Sequence, residues 1–133
     1  MKPKIGLITL GVHDLARSLA FYRDGLGWPT HGYKPDAGIV FFSLDGTWLA
    51  LYPRDKLAED AGVPDGKGFG GITLAHNEPS PESVDAAYAQ AITAGAHAVK
   101  APQKSFWGGY SGYFADPDGY MWEIAFNPFM DLT

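Results

Sequence analysis

Apolar positions in this chain fall into short strand-like runs, with one stretch of helical spacing in each half. Ile5 to Val12 (IGLITLGV) is rich in β-branched residues and reads as a strand. Asp14 follows as a helix N-cap, and Leu15, Leu19, Tyr22 and Leu26 recur at helical spacing until Gly25 and Gly27, which can close the helix. Gly38 to Leu44 and Thr47 to Tyr52 read as two strands joined by the tight-turn pair Asp45-Gly46. Pro53 to Gly70, interrupted by prolines and charges, reads as a surface connection. The pattern then restarts with a strand at Gly71 to His76. Ser80-Pro81 opens a second helix, carried by Val84, Ala87, Tyr88, Ala91 and Ile92 and stopped by Gly95. Ala96 to Lys100 is a short strand. Tyr110 to Asn127 reads as a hairpin, because two aromatic-rich runs flank Asp116-Pro117-Asp118-Gly119.

The two halves repeat one another. Leu7-Ile8-Thr9-Leu10 matches Gly71-Ile72-Thr73-Leu74, a step of 64 residues, and Asp45-Gly46 matches Asp118-Gly119, a step of 73. The fold class this implies is α+β, built from two tandem strand-helix-three-strand units. The chain, residues 1–133, is one domain: module 1 covers about 1–55, a linker about 56–69, and module 2 about 70–128. Each unit alone is too small to bury its sheet well, so pairing of units within or between chains is expected. Side chains alternate along strands. Ile8, Leu10, Val12, Ile72, Leu74, Trp122 and Ile124 are therefore expected under the helices. Thr9, Trp48, Tyr52, Thr73 and Met121 share the opposite, concave parity with Glu123, the single carboxylate in the last strand.

Composition narrows the choice of partner. The chain is 46% hydrophobic and 19% charged, as an ordinary soluble protein is, and its formal charge of -5 without a Lys/Arg cluster argues against nucleic acid or an anionic membrane. It has no cysteine, which excludes disulfides, thiol nucleophiles and thiolate metal sites. No apolar run approaches the ~20 residues of a membrane span, and no leader pattern appears, so a cytoplasmic location is the expectation. Aromatic residues make 14% of the chain, concentrated at Phe106-Trp107, Tyr110, Tyr113, Tyr120 and Trp122, which fits either a core with a dimer interface or an aromatic-lined pocket.

Leu10-Gly11-Val12-His13-Asp14-Leu15-Ala16-Arg17-Ser18-Leu19-Ala20-Phe21-Tyr22-Arg23-Asp24, and Tyr113-Phe114-Ala115-Asp116-Pro117-Asp118-Gly119 followed by Trp122-Glu123, resemble the vicinal oxygen chelate superfamily. This superfamily includes glyoxalase I, bleomycin resistance proteins and extradiol dioxygenases. The resemblance covers nearly the whole chain and implies paired βαβββ modules whose curled mixed sheets enclose a cavity. It also implies a divalent metal on His and Glu residues, but here those positions read Leu7, Ala50, Gly71 and Glu123. Such a metal needs about three or four N or O ligands, so neither a metal site nor another cofactor is expected. His13, His31, His76 and His97 never occur at metal-binding spacing and read as surface or structural residues.

Glu123 in an apolar strand is then a candidate general base or a hydrogen-bond anchor for a ligand. Thr9, Trp48, Tyr52, Thr73, Tyr113 and Met121 are candidate ligand contacts. Phe106, Trp107 and Tyr110, around the flexible pair Gly108-Gly109, are expected at the pocket rim. The leading reading is a metal-independent homodimer that binds, and in the manner of bleomycin resistance proteins sequesters, an aromatic or amphipathic small molecule. Two alternatives stand beside it: a glyoxalase-like lyase or isomerase with Glu123 as base, and a dimeric interaction protein without a small-molecule role.

Overall fold

The computed structural model describes every residue except Lys2, Lys4 and Gly71. The chain forms two compact units, Met1–Gly68 and Phe69–Thr133. Each carries a mixed sheet, so the architecture is α+β, with two sheets and three α-helices among the described residues.

In unit 1, β1 (Leu7–Val12) leads into α1 (Leu15–Leu19), followed by β2 (Val40–Phe42), β3 (Trp48–Pro53) and α2 (Arg54–Ala61). The strand order is β1-β3-β2, with β3 parallel to β1 and antiparallel to β2. The central place of β3 follows from its buried run Leu49-Ala50-Leu51, which suits a strand paired on both edges. Asp14 caps α1 by accepting from the Arg17 N–H at 3.0 Å. The helix then widens into a π-helical turn, Ala20–Gly25, closed by Leu26 N–H donating to the Phe21 carbonyl at 2.9 Å. That turn lets the adjacent Phe21 and Tyr22 both reach the core. Tyr22 packs on Phe42 (5.9 Å between ring centroids) and Trp28 (5.5 Å). Leu10, Val12, Val40, Phe42, Leu49 and Leu51 are buried on this side, as alternation requires for β1.

In unit 2, β4 (Leu74–Asn77), α3 (Pro81–Ala94), β5 (His97–Lys104), β6 (Tyr110–Ala115) and β7 (Met121–Phe126) give the sheet order β4-β7-β6-β5. A reciprocal Ser80–Ser83 capping box opens α3, and Gly95 closes it at φ 115°. Tyr88 of α3 meets Phe114, which stacks on Trp122 at 6.4 Å; Trp122 and Ile124 are buried with it. The β6–β7 turn is held by Asp116, a fully buried carboxylate that accepts from the Asp118 and Tyr120 N–H groups, each at 2.9 Å.

The structure corrects several boundaries. Within the expected surface connection, Arg54–Ala61 is a helix. It has no buried residue, so no apolar stripe marks it, and Pro53 and the charges around it read as breaks. β5 runs on to Lys104 through Pro102, which is tolerated because β5 is the sheet's edge strand. β4 begins at Leu74; Ile72 lies ahead of it and is 72% exposed, not under α3. In unit 1 the further strand of the unit is reduced to a bridge, Thr30 to Phe42. Among the described residues, no helix is long and apolar enough to cross a membrane.

Candidate functional site

Glu123 is the third residue of β7, directly opposite Tyr113 on β6 and Ala75 on β4. Its neighbours Trp122 and Ile124 turn towards α3, so Glu123 faces the sheet's other, helix-free side. The sheet register puts Tyr113, Ser111 and Ala115 of β6 and Met121 and Ala125 of β7 on that same side. Tyr113 and Glu123 form the polar centre of this face. Burial, and then the charge of Glu123 and a hydrogen bond to it, raise the Tyr113 phenol above its ordinary pKa. The phenol thus faces the Glu123 side chain from the neighbouring strand.

The β5–β6 connection adds a wall. Ser105 and Ser111 hydroxyls meet at 2.8 Å, and Ser105 N–H donates to the Gly109 carbonyl at 2.9 Å. Trp107 folds back so that its ring occupies the space a side chain at position 109 would fill. Gly109 has the same parity as Ser111 and Tyr113, so Trp107 covers the end of the Glu123 face. Phe106 is fully exposed at the tip of this turn and lines nothing in the unit. Tyr110 departs from the expected rim. Three residues before Tyr113, it falls on the helix-facing side, where its hydroxyl donates to Asp85 of α3 at 2.8 Å. Thr73 lies ahead of β4 and is exposed.

Unit 1 has a corresponding helix-free face. Thr9 and Ala50 are directly paired, as are Ala50 and Phe41, while Trp48 and Tyr52 stand on either side of Ala50. The beginning of α2 closes one end: Arg54 packs over Gly11, and its guanidinium is bound to Asp65 and the Gly66 carbonyl. At the other end His31, continuing the Thr30 bridge, donates its N–H to the Phe41 carbonyl at 2.8 Å, and its ring lies 4.8 Å from that of Trp48. Sequence reasoning read His31 as a surface or structural residue and did not place it beside Trp48. Its place depends on a single bridge whose partners, Thr30 and Phe42, are twelve residues apart along an irregular loop, and no spacing pattern signals it.

These residues do not fit a divalent metal. Glu123 is surrounded on neighbouring strands by Ala75 and Tyr113, while Leu7 and Ala50 carry no donor; Gly71 lies outside the described residues. Among the described residues, no three His, Asp or Glu side chains are grouped to hold an ion. A cavity of about 450 Å³ in unit 2 is lined by Asn77, Glu78, Phe126, Asn127 and the residues that follow, and contains none of the candidates.

Comparisons with known proteins agree with this architecture. The family model of the Glyoxalase/Bleomycin resistance protein/Dioxygenase superfamily matches residues 4–124. A glyoxalase-related enzyme from Fulvimarina pelagi is 37% identical, with a TM-score of 0.87 over 95% of this chain and 89% of the other. A glyoxalase/bleomycin resistance protein/dioxygenase from Nocardioides is 29% identical, with a TM-score of 0.76 over 95% and 84%. Lactoylglutathione lyase from Agrobacterium tumefaciens, at 22% identity and a TM-score of 0.74 over the whole of both chains, shares the fold. With its family model matched over nearly its whole length, the chain belongs to the Glyoxalase/Bleomycin resistance protein/Dioxygenase superfamily.

Proposed function

We propose that this chain is a metal-independent member of the superfamily that binds, and by binding sequesters, an aromatic or amphipathic small molecule as a cytoplasmic homodimer. The observation that carries the reading is the Tyr113–Glu123 pair. It is a carboxylate and a phenol directly opposed on a helix-free sheet face, with Met121 and Trp107 beside them and, among the described residues, no acidic or imidazole side chain directly opposite Glu123 on either adjoining strand. Such a face offers apolar contact and one polar anchor, the usual make-up of a small-molecule site. Exposed apolar side chains, among them Ile72 and Val99 near the edges of the unit 2 sheet, support a subunit contact.

A second reading is favoured by the similarity to a glyoxalase-related enzyme: a lyase or isomerase in which Glu123 moves a proton. One experiment separates the two. Native mass spectrometry of protein taken directly from cell extract is expected to show a dimer, no stoichiometric Mn, Fe, Ni or Zn, and a retained organic compound. That compound is then incubated with the wild type and with Glu123→Gln. Sequestration predicts that both return it unchanged; conversion by the wild type alone establishes the enzyme. One tightly held metal ion per chain overturns both readings.

A further inference from the structure

The two helix-free faces differ in chemistry. The unit 2 face is built on a carboxylate, whereas Thr9, His31, Trp48 and Tyr52 of unit 1 carry no negative charge. Among the described residues, none of these four side chains has a hydrogen-bond partner. An indole N–H can only donate, and hydroxyl and imidazole groups can do so, which makes this an aromatic face with unspent donors. Its accessible part is the Leu7–Trp48–His31 end: Leu7 is 42% exposed, Trp48 is half-buried and His31 is exposed, while Gly11 and Ala50 are buried. Arg54 and Asp65, the charged pair by Gly11 at the opposite end, are bound to each other.

We propose that the His31–Trp48 end of unit 1 is a binding site for an aromatic carboxylate. The ligand ring packs against the indole, which already lies beside the tilted imidazole at 4.8 Å between ring centroids. Its carboxylate accepts from the His31 ring and the Trp48 N–H, forming charge-assisted bonds that neither side chain makes among the described residues. A cationic ring finds no carboxylate to pair with on this face among the described residues. The inference rests on the reading of the chain as a small-molecule binder and deepens it by naming a ligand class and a residue, His31.

The probe is benzoate, with benzylamine as the charge-reversed control, added to the intact ¹⁵N-labelled protein. Benzoate is expected to shift the Trp48 indole N–H signal, identified by its loss in Trp48→Phe, along a saturating curve, and benzylamine to leave it in place. His31→Phe, a change at an exposed position that keeps a ring beside Trp48 and removes the donor, is expected to weaken benzoate by about tenfold, the effect of one hydrogen bond to a charged group. Glu123→Gln is expected to leave the benzoate curve unchanged, so failure here is distinct from failure of the unit 2 reading. A linear, non-saturating shift, equal response to benzylamine, or an unaltered curve in His31→Phe overturns the proposal.

Discussion

Burial and the neighbouring Glu123 charge hold the Tyr113 proton in place, and this has a measurable consequence. The folded state binds that proton more tightly than the unfolded chain does. Its contribution to stability is therefore complete below the ordinary tyrosine value of about 10 and is lost as pH rises through the higher folded value. Near-ultraviolet tyrosinate titration of the wild type minus Tyr113→Phe is expected to place this phenol above an ordinary tyrosine, and Glu123→Gln to move it back downward. A Tyr113 that titrates identically with and without the Glu123 charge refutes the pairing. Tyr110 is raised for another reason, first its hydrogen bond to Asp85, and is expected to be indifferent to Glu123→Gln. The face that Glu123 occupies was legible in the sequence, because side chains alternate along the strand that follows the Asp-Pro-Asp-Gly turn, but its pairing with Tyr113 came only with the hairpin register. The assignment of Tyr110 to the rim failed on the same rule, since three residues along a strand change the face. His31 was not legible, because an isolated bridge from an irregular loop leaves no periodic trace.

At the scale of elements, the β5–β6 connection shows what a glycine can be for. Gly108 takes φ 99°, a left-handed conformation that side-chain-bearing residues rarely adopt. Gly109 is constrained by space instead: a Cβ there would run into the Trp107 ring and lie 2.7 Å from the Phe126 carbonyl oxygen. Gly109→Ala is therefore expected to push Trp107 off the sheet and cost about 1–3 kcal/mol, the usual penalty for overpacking. Thermal unfolding together with a red shift in tryptophan emission would register both effects; an alanine variant with native emission and melting would show that Trp107 does not rest there. Sequence reasoning took this glycine pair for flexibility, and only the ring's position shows that the second glycine makes room for an aromatic wall. The missed helix Arg54–Ala61 has a related cause. Helices are read from a buried stripe, and this one buries nothing.

Across the whole molecule, the duplication was legible in outline and its register only in part. Opposite Ala50 stands Thr9, and opposite Glu123, at the equivalent place in β7, stands Ala75, so the sheets equate Thr9 with Ala75, a step of 66 residues and not 64. A slip of two preserves every face, which is why the division into helix-facing and open sides survived it. Between the halves, residues 62–70 are exposed throughout, and the ion pair from Arg54 to Asp65 fastens only their first part. Backbone of this kind is where proteases cut first. The expected trypsin site is Lys67, beyond the fastened part, since Lys56 lies in α2, Lys100 and Lys104 are paired within β5, and Lys34 is followed by proline. Arg54→Ala should free the segment further and speed that cut by up to about fivefold, the ratio equivalent to roughly 1 kcal/mol for a partly exposed pair. Mass spectrometry of the earliest fragments is decisive: a first cut at Lys56 or within β5 would mean that the segment around Lys67 is better protected than its exposure indicates.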